Sequence, residues 1–210
     1  MKKLIVTAVA FAAVILAAVI IIVSIRSPGK TKQSAVSVEP IAADSSSDEL
    51  VAYASKLLKL MNADEYEALS ELVHPDYGVV FSPSATVDLS TDRHFTAAQI
   101  AGFANDTQAY IWGVYDGSGN PIKLTPSEYF DAFVTDADYL AASKLSPNEI
   151  VMRGNALENL EDVYPNASYV DFFIDSTGSG GLDWHSLRLV FEQYRGKLML
   201  SAVVHGGYTI

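Results

Sequence analysis

The chain of 210 residues contains no cysteine. This absence excludes disulfide bonds, thiol nucleophiles and thiolate metal ligands. It also excludes a lipoprotein anchor, because that modification needs an acceptor cysteine just after an apolar leader. A domain without crosslinks depends on its hydrophobic core, and the roughly 160 residues that follow Ser47 are enough for one ordinary domain.

Acidic residues are absent before Glu39, and basic residues are scarce after Lys32. From Gln33 onward, nine basic residues stand against 25 acidic ones, which gives a formal charge of −16. Such a domain is repelled by phosphate backbones and anionic lipid surfaces, so the composition predicts no nucleic-acid partner. Solubility is the simplest explanation of the charge, and attraction of a cation or of a basic partner remains open.

Long apolar runs are missing except at the start, where Thr7 is the only polar residue between Leu4 and Val23. A helix of that length, at about 1.5 Å per residue, matches the roughly 30 Å hydrocarbon core of a bilayer. We therefore predict a signal anchor over residues 1–26, with the lipid bilayer as a partner. The alternative is a cleaved signal peptide and a secreted chain, but the run is longer than a usual signal and lacks an Ala-x-Ala site.

The flanking charges predict the orientation only weakly, because lysines precede the run and basic residues also follow it. The short, signal-like start favours a cytoplasmic N-terminus at the cell membrane and an extracytoplasmic remainder. Residues 27–47 are rich in Gly, Ser, Pro and Lys, which is typical of a flexible stalk. The folded domain is then predicted over residues 48–210.

Helix starts are marked by residues that cap free backbone amides. Ser46 with Glu49, Thr96 with Gln99, and Thr125 with Glu128 each have the spacing of a capping box. Two further helices are predicted, one from Asn62 to Val73 before His74-Pro75, and one from Asn155 to about Tyr164.

The last third of the chain has strand character instead. Its three predicted strands are Tyr169–Ile174, Leu187–Tyr194 and Lys197–His205, and Arg195-Gly196 forms a tight turn between the last two. Earlier strands are predicted at 78–81 and 108–115. Helices first and a β-meander last predict an α+β domain, with helices packed on one face of a curved antiparallel sheet.

This order of elements resembles the nuclear-transport-factor-2-like superfamily, also called polyketide-cyclase-like, whose fold is cone-shaped. Short motifs more specifically resemble an exported bacterial family of unknown function within it: His74-Pro75, Phe81-Ser82-Pro83, Trp112-Gly113, Asp116-Gly117-Ser118-Gly119, Arg153-Gly154-Asn155, Trp184, and Ser186 to Glu192. In place of an expected His-x-x-Trp-Thr-Ile ending, the chain has His205-Gly206-Gly207-Tyr208-Thr209-Ile210. The resemblance implies a fold and a compartment, and it brings no catalytic residues.

Superfamily members that are enzymes use a pocket inside the cone, where buried Asp, His or Tyr can act as an acid or base. The candidates for a ligand pocket here are Asp171, Arg188, Glu192, Tyr194 and His205. Arg188 and Glu192 share one strand face, but their separation of about 13 Å prevents direct pairing. The alternative is that this face is exposed and carries ordinary surface charges.

The four histidines, at positions 74, 94, 185 and 205, have neither a helical metal spacing nor a His-x-His pattern. No metal and no cofactor is therefore predicted. His74 is interpreted as a helix-terminal residue near the negative end of the dipole, and His205 is the histidine to test first. A calcium-loop pattern at Asp116, Ser118 and Asn120 fails in its remaining positions, so it is interpreted as a hairpin turn.

No nucleophile elbow, phosphate loop or dinucleotide fingerprint is present, and no catalytic residue is predicted. We expect a membrane-tethered extracytoplasmic binding domain whose partner is an envelope protein or a small ligand. Two alternatives remain. One is an envelope-complex scaffold resembling the bitopic inner-membrane component of type IV secretion systems, and the other is a pocket enzyme of the cyclase or isomerase type.

Overall fold

The structure, a computed structural model, describes residues 37–115, 117–151, 157–178 and 180–207. The predicted anchor, residues 27–36 of the predicted stalk, the proposed cap Asn155 and the C-terminal tripeptide lie outside these ranges. Within them, no helix combines the length and the apolar character needed to cross a membrane.

The described chain forms a mixed α+β unit around a curved sheet of six strands. The strands of this sheet lie in the order β2-β1-β8-β7-β6-β5. Their bounds are β1 Val79–Ser82, β2 Arg93–Phe95, β5 Lys144–Pro147, β6 Ser168–Ile174, β7 His185–Tyr194 and β8 Lys197–Gly207, while β3 Tyr110–Val114 and β4 Pro121–Leu124 form a separate pair. The C-terminal meander is thus confirmed as β6, β7 and β8.

One strand pair differs from the predicted antiparallel sheet, because β1 runs parallel to β8, with Phe81 opposite Val203. The two strands come from opposite ends of the folded unit. No tight turn therefore fixes their relative direction, whereas the β7–β8 hairpin must be antiparallel.

The helices are short apart from the first one. Their bounds are α1 Ser47–Asn62, α2 Tyr66–Ser70, α3 Ala97–Ala101, α4 Pro126–Phe133 and α5 Leu160–Val163, and 3-10 turns lie at Phe103–Asn105 and Tyr139–Ala141. All three predicted capping boxes are present, at the starts of α1, α3 and α4. A capping box involves two residues only three positions apart, so it can be predicted from the sequence alone.

The second predicted helix is wrong in its start and in its length. Asn62 is the last residue of α1, Asp64 has a left-handed φ of 54°, and Glu65 makes no capping hydrogen bond through its side chain. The Asp64 carboxylate instead accepts a hydrogen bond from the Tyr66 hydroxyl at 2.9 Å. The backbone reversal at Asp64 separates two helices that the pattern of apolar residues alone would join at Asn62.

The turn between β7 and β8 is as predicted. Arg195 and Gly196 both have positive φ, at 49° and 78°. Two such residues form the type I′ turn that matches the twist of a β-hairpin. This turn sets the register of the strand residues next to it, and a register shift between Val190 and Phe191 then places Leu187 opposite His205 at the other end of the hairpin.

One side of the sheet is filled by aromatic side chains. Trp112 stacks on Tyr129 with ring centroids 3.9 Å apart, and the edge of Phe81 meets Trp112 at 5.5 Å. The same buried cluster includes Phe95, Phe103, Phe130, Leu187, Leu189 and Phe191. Helix α1 closes it near the hairpin, where the Tyr53 hydroxyl donates to the Leu198 carbonyl.

The opposite side of the sheet is covered too. A second buried cluster there contains Val87, Leu160, Tyr169, Val190, Ala202 and Val204. Neither face of β7 is therefore open to solvent at its centre, and the alternative of an exposed face with ordinary surface charges is wrong for Arg188, which is fully buried.

The folded unit includes residues that precede α1. Val38 is buried in the main core, the Leu198 amide donates to the Ile41 carbonyl at 2.9 Å, and Ala43 donates to the Gly196 carbonyl at 3.0 Å. Part of the segment predicted as a stalk is therefore bound to the start of β8.

Candidate ligand site at the end of the sheet

The five predicted pocket residues lie in three different places. Arg188 and Asp171 face each other on β7 and β6, and Arg188 Nε donates to Asp171 Oδ2 at 3.2 Å. Glu192 and Tyr194 lie further along β7, close to the hairpin turn, where Tyr194 contacts the side chain of Arg195. His205 lies toward the far end of β8.

The buried Arg188 side chain lies between two acidic partners. Its guanidinium forms a fork on Glu158, with Nη1 to Oε2 at 2.8 Å and Nη2 to Oε1 at 2.7 Å. Asp171 also accepts hydrogen bonds from the Ser186 hydroxyl at 2.6 Å and from the Val151 amide at 2.9 Å. Arg188 and Asp171 are both fully buried and pair with each other, so we interpret them as a structural ion pair.

Glu158 carries the second negative charge of this network. Burial raises the pKa of Glu158, and this effect outweighs the opposing charge of Arg188. Glu158 also lines a surface cleft of about 400 Å³ whose other walls include Glu149, Glu161 and Asp162. The cleft is acidic, and among the described residues none of those that line it has a buried side-chain polar atom without a hydrogen-bond partner.

His205 meets two residues that sequence reasoning did not select. Its Nε2 lies 3.2 Å from Asp136 Oδ2, and Nδ1 of His185 lies 3.0 Å from the same oxygen. The other oxygen of Asp136 accepts a hydrogen bond from the Tyr139 hydroxyl at 3.0 Å. We refer to Asp136, His185 and His205 as the histidine centre.

The fold assembles this centre from two distant parts of the chain. His185 is the first residue of β7, and the hairpin register pairs it with Gly207, two residues beyond His205. Residues two apart on a strand share a face, so both imidazoles project to the same side of the hairpin. Asp136 comes from the loop after α4, where Thr135 donates from its amide and its hydroxyl to the Phe130 carbonyl at 2.8 and 3.1 Å.

Both ring nitrogens of His205 face oxygen atoms. While Nε2 faces Asp136, Nδ1 lies 3.3 Å from the backbone carbonyl of Pro83. A neutral imidazole has one N–H and one lone pair, so it can donate to only one of these two acceptors. The nitrogen that carries no proton then faces an oxygen atom with its lone pair. A cation between these two atoms, either a second proton or a metal ion, removes this conflict.

The carboxyl group of Asp136 remains acidic in this setting. Burial alone raises the pKa of Asp136, but the hydrogen bond and charge of His205, with Tyr139 and His185, bring it below its usual value. The carboxylate is therefore anionic at neutral pH and offers the histidine centre a negative charge.

The histidine centre is accessible from one side. The His185 side chain is 37% exposed, against 16% for Asp136 and 15% for His205. On another side, the Phe133 ring meets His205 edge-on at 5.5 Å, and the half-exposed Tyr115 lies beyond Phe133 at 6.3 Å. A ligand that reaches the imidazoles from solvent would have an aromatic surface beside it.

His74, by contrast, has a structural role. It is buried at the end of the segment that follows α2, and its Nδ1 accepts hydrogen bonds from the amides of Asp76 and Tyr77 at 3.3 and 3.1 Å. The ring also stacks on Tyr77 at 4.4 Å. Nδ1 of His74 accepts both N–H groups, and the side chain thereby fixes the turn that follows it.

Sequence reasoning found one member of the histidine centre and missed the other two. His205 and His185 lie on consecutive strands joined by a tight turn, but the register of that turn alone would pair His185 with Gly206. The register shift between Val190 and Phe191 brings the two imidazoles to one face. Asp136 is 49 residues from His185 and 69 from His205, in a loop whose position depends on tertiary packing. No local motif marks it.

Comparisons with known proteins leave the family open. No family model matches the chain, and no curated protein matches it. A solved structure from Xanthomonas campestris, named provisionally as a calcium/calmodulin dependent protein kinase II association domain, is 14% identical, with a TM-score of 0.33. That match covers 81% of this chain and 95% of the other, but a TM-score this low supports no conclusion about function.

Proposed function

We propose that this chain is a membrane-tethered, extracytoplasmic domain of the nuclear-transport-factor-2-like type, which binds a ligand at the histidine centre and catalyses no reaction. The observation that carries the proposal is the convergence of His185 and His205 on one Asp136 oxygen, at 3.0 and 3.2 Å, beside the exposed side of His185. Three polar side chains from distant parts of the chain meet there without being needed for the core.

The segment before α1 contacts the hairpin at the end away from the histidine centre. The segment around Ala42 pairs with Lys197, at the start of β8. His205 lies eight residues further along the same strand, which is about 26 Å at 3.3 Å per residue. A ligand at the histidine centre would therefore bind at the opposite end of the hairpin from the Ala42–Lys197 bridge.

The packing of the core favours binding over pocket catalysis. A cyclase or isomerase of this fold needs a cavity inside the cone with titratable groups directed into it. Trp112, Tyr129 and Phe81 instead stack against one another in the middle of the main cluster. The polar histidine centre lies at the end of the sheet, beside this aromatic core.

A second function is favoured by one specific contact. The Nδ1 of His185 faces the Asp136 carboxylate, which would leave its Nε2 free as a general base. An Asp–His dyad of this kind is typical of enzymes that abstract a proton. In this alternative the same three residues would catalyse proton transfer instead of only binding a ligand.

The test uses the full-length chain without a tag, reconstituted in lipid nanodiscs. A low-molecular-mass extract of the host cell envelope is passed over it, and mass spectrometry identifies the compounds and ions retained. We expect wild type to retain at least one species that Asp136→Asn and His205→Ala release, while His94→Ala, which alters an exposed histidine on β2, retains it.

Equal retention by all four proteins, with circular dichroism showing that they are folded, would contradict binding at the histidine centre. Turnover of a retained compound that stops in His185→Ala would favour the enzyme instead. Protease accessibility of the folded domain in spheroplasts, and the intact mass of the membrane-bound chain, test the predicted compartment and anchor.

A further inference from the structure

The donor atoms of the histidine centre suit a transition metal. Resting on the proposed binding function, we infer that Asp136, His185 and His205 form a site for one divalent transition-metal ion of the Zn²⁺ class. Two imidazole nitrogens with one carboxylate form a donor set that such ions prefer, whereas Ca²⁺ and Mg²⁺ prefer oxygen ligands.

The distances between the donor atoms fit such an ion. With bonds of about 2.0–2.1 Å, neighbouring ligand atoms of a tetrahedral zinc site lie about 3.3 Å apart. Here His185 Nδ1 and His205 Nε2 lie 3.0 and 3.2 Å from one Asp136 oxygen, and the donor atoms of the three residues all lie within 4.8 Å of one another. The two nitrogen–oxygen distances are already close to that value, and the two imidazoles would have to approach each other for all three atoms to bind one ion.

The surrounding hydrogen bonds are those expected around metal ligands. A metal-bound histidine usually donates its other N–H to a carbonyl or carboxylate group, which fixes the tautomer and the ring orientation. The Pro83 carbonyl lies 3.3 Å from Nδ1 of His205 and can accept that hydrogen bond. Tyr139 fixes the orientation of the Asp136 carboxylate, because its hydroxyl donates to the oxygen that does not face the histidines.

A metal ion also resolves the conflict at His205. With the Nδ1 proton donated to Pro83, the lone pair of Nε2 faces the anionic Asp136 carboxylate at 3.2 Å, which is repulsive. A divalent cation bound between them makes both contacts favourable. A second proton could do the same, so protonation without metal binding is the competing outcome.

The site would leave part of the coordination sphere open. Three protein ligands leave a fourth tetrahedral position, and the exposed side of His185 faces solvent. On another side of the centre, Phe133 packs against His205, and Tyr115 lies beyond Phe133. The formal charge of −16 over residues 33–210 also raises the local concentration of cations.

The experiment uses tagless, full-length chain in nanodiscs, stripped of metal by a chelator. Zn²⁺ is titrated by isothermal calorimetry, and Co²⁺ is titrated by visible absorption, whose intensity reports tetrahedral coordination. We expect one equivalent per chain. Affinity should fall more than about tenfold in Asp136→Asn, His185→Ala and His205→Ala, and by about tenfold in Tyr139→Phe, which removes an outer hydrogen bond.

His94→Ala is the matched control, because it removes an exposed histidine outside the centre and should bind like wild type. Zn²⁺ binding that survives in Asp136→Asn and His205→Ala, or that is absent from folded wild type, would overturn the inference. Histidine NMR spectra showing doubly protonated His205 and no response to Zn²⁺ would assign the cation as a proton.

The two proposals can fail separately. If the Asp136-dependent compound from the envelope extract is retained by metal-stripped protein that does not bind Zn²⁺, the metal site is wrong and the binding function remains. If neither the extract nor Zn²⁺ distinguishes wild type from Asp136→Asn, both are wrong.

Discussion

His205 lies 69 residues beyond Asp136 in the sequence, yet its Nε2 is 3.2 Å from the Asp136 carboxylate. The contact joins the end of the longest strand to the loop after α4. Because the other nitrogen of the ring faces the Pro83 carbonyl, the same imidazole also reaches the segment that follows β1. One side chain thus links three parts of the fold at the proposed site.

Zinc should raise the thermal stability of the folded domain through this centre. A ligand at 100 times its dissociation constant stabilises the folded state by about 2.7 kcal/mol, which corresponds to roughly 5–10 °C for a domain of this size. We expect that rise in differential scanning calorimetry of wild type and of His94→Ala. Asp136→Asn should show at most about half of that rise, and an equal rise in that variant would place the ion elsewhere.

Loss of the buried Arg188 side chain should destabilise the domain severely. In Arg188→Met, Asp171 and Glu158 would be left without their cation, and removing one partner of a buried ion pair costs about 3–5 kcal/mol. Chemical denaturation measures this loss of unfolding free energy.

The control is Arg195→Met, which alters an exposed arginine at the hairpin turn and should change stability by less than about 0.5 kcal/mol. Adding Glu158→Gln and Asp171→Asn to Arg188→Met should recover part of the loss, since no unpaired charge then remains. A triple variant no more stable than Arg188→Met would show that packing, and not charge, sets the cost.

The burial of Arg188 is a feature of the fold that the sequence alone did not predict. The strand periodicity predicts that Arg188 and Val190 share a face, but not whether another segment covers that face. The cover consists of Val87 and of the segment around Leu160, whose placement depends on long-range packing. The capping boxes and the Arg195-Gly196 turn were predictable because their physical cause lies within a few residues of sequence.

The pH dependence of stability should report the raised pKa of Glu158. The folded state binds a proton at Glu158 more readily than the unfolded state does, so this group favours folding at low pH. That contribution is lost as the pH rises from the unfolded pKa through the folded one. The difference in unfolding free energy, wild type minus Glu158→Gln, should therefore increase as the pH falls from 7 to 4.

Urea titrations of both proteins at several pH values measure this difference. Glu67→Gln is the control, because that side chain lies on the short helix α2, away from the Arg188 network. A difference between wild type and Glu158→Gln that stays constant with pH, or decreases toward pH 4, would mean that Arg188 and not burial dominates at Glu158.

Gly113 should be intolerant of a side chain because of its contact with Pro83. Its φ of 141° suits glycine, and a Cβ there would lie 3.0 Å from Pro83 Cγ. Gly113→Ala should cost about 1–3 kcal/mol. It should also shift the NMR signals of His205, because Pro83 supplies the carbonyl that faces Nδ1.

Gly119 is the control that distinguishes backbone strain from the contact with Pro83. Its φ of 67° is also positive, but nothing lies within 4 Å of an added Cβ. Gly119→Ala should therefore show backbone strain without the steric contact, a smaller loss of stability and no change at His205. Similar effects of both substitutions on the His205 signals would rule out a path through Pro83.

The segment before α1 should behave as part of the folded domain. Val38 is 9% exposed and belongs to the main core, whereas Ser37 beside it is exposed, although both fall in the stretch whose composition predicts a flexible stalk. Val38→Ala should cost about 1–2 kcal/mol of unfolding free energy, and Ser37→Ala should cost almost nothing. A second measurement is hydrogen exchange on the full-length chain. It should show protection of the Ala43 amide, which donates to the Gly196 carbonyl at 3.0 Å. Fast exchange at Ala43 together with equal stability of the two variants would show that the segment is a free linker. Protection would instead mean that the folded domain begins before α1, so the flexible part of the predicted stalk would be shorter than its composition suggests.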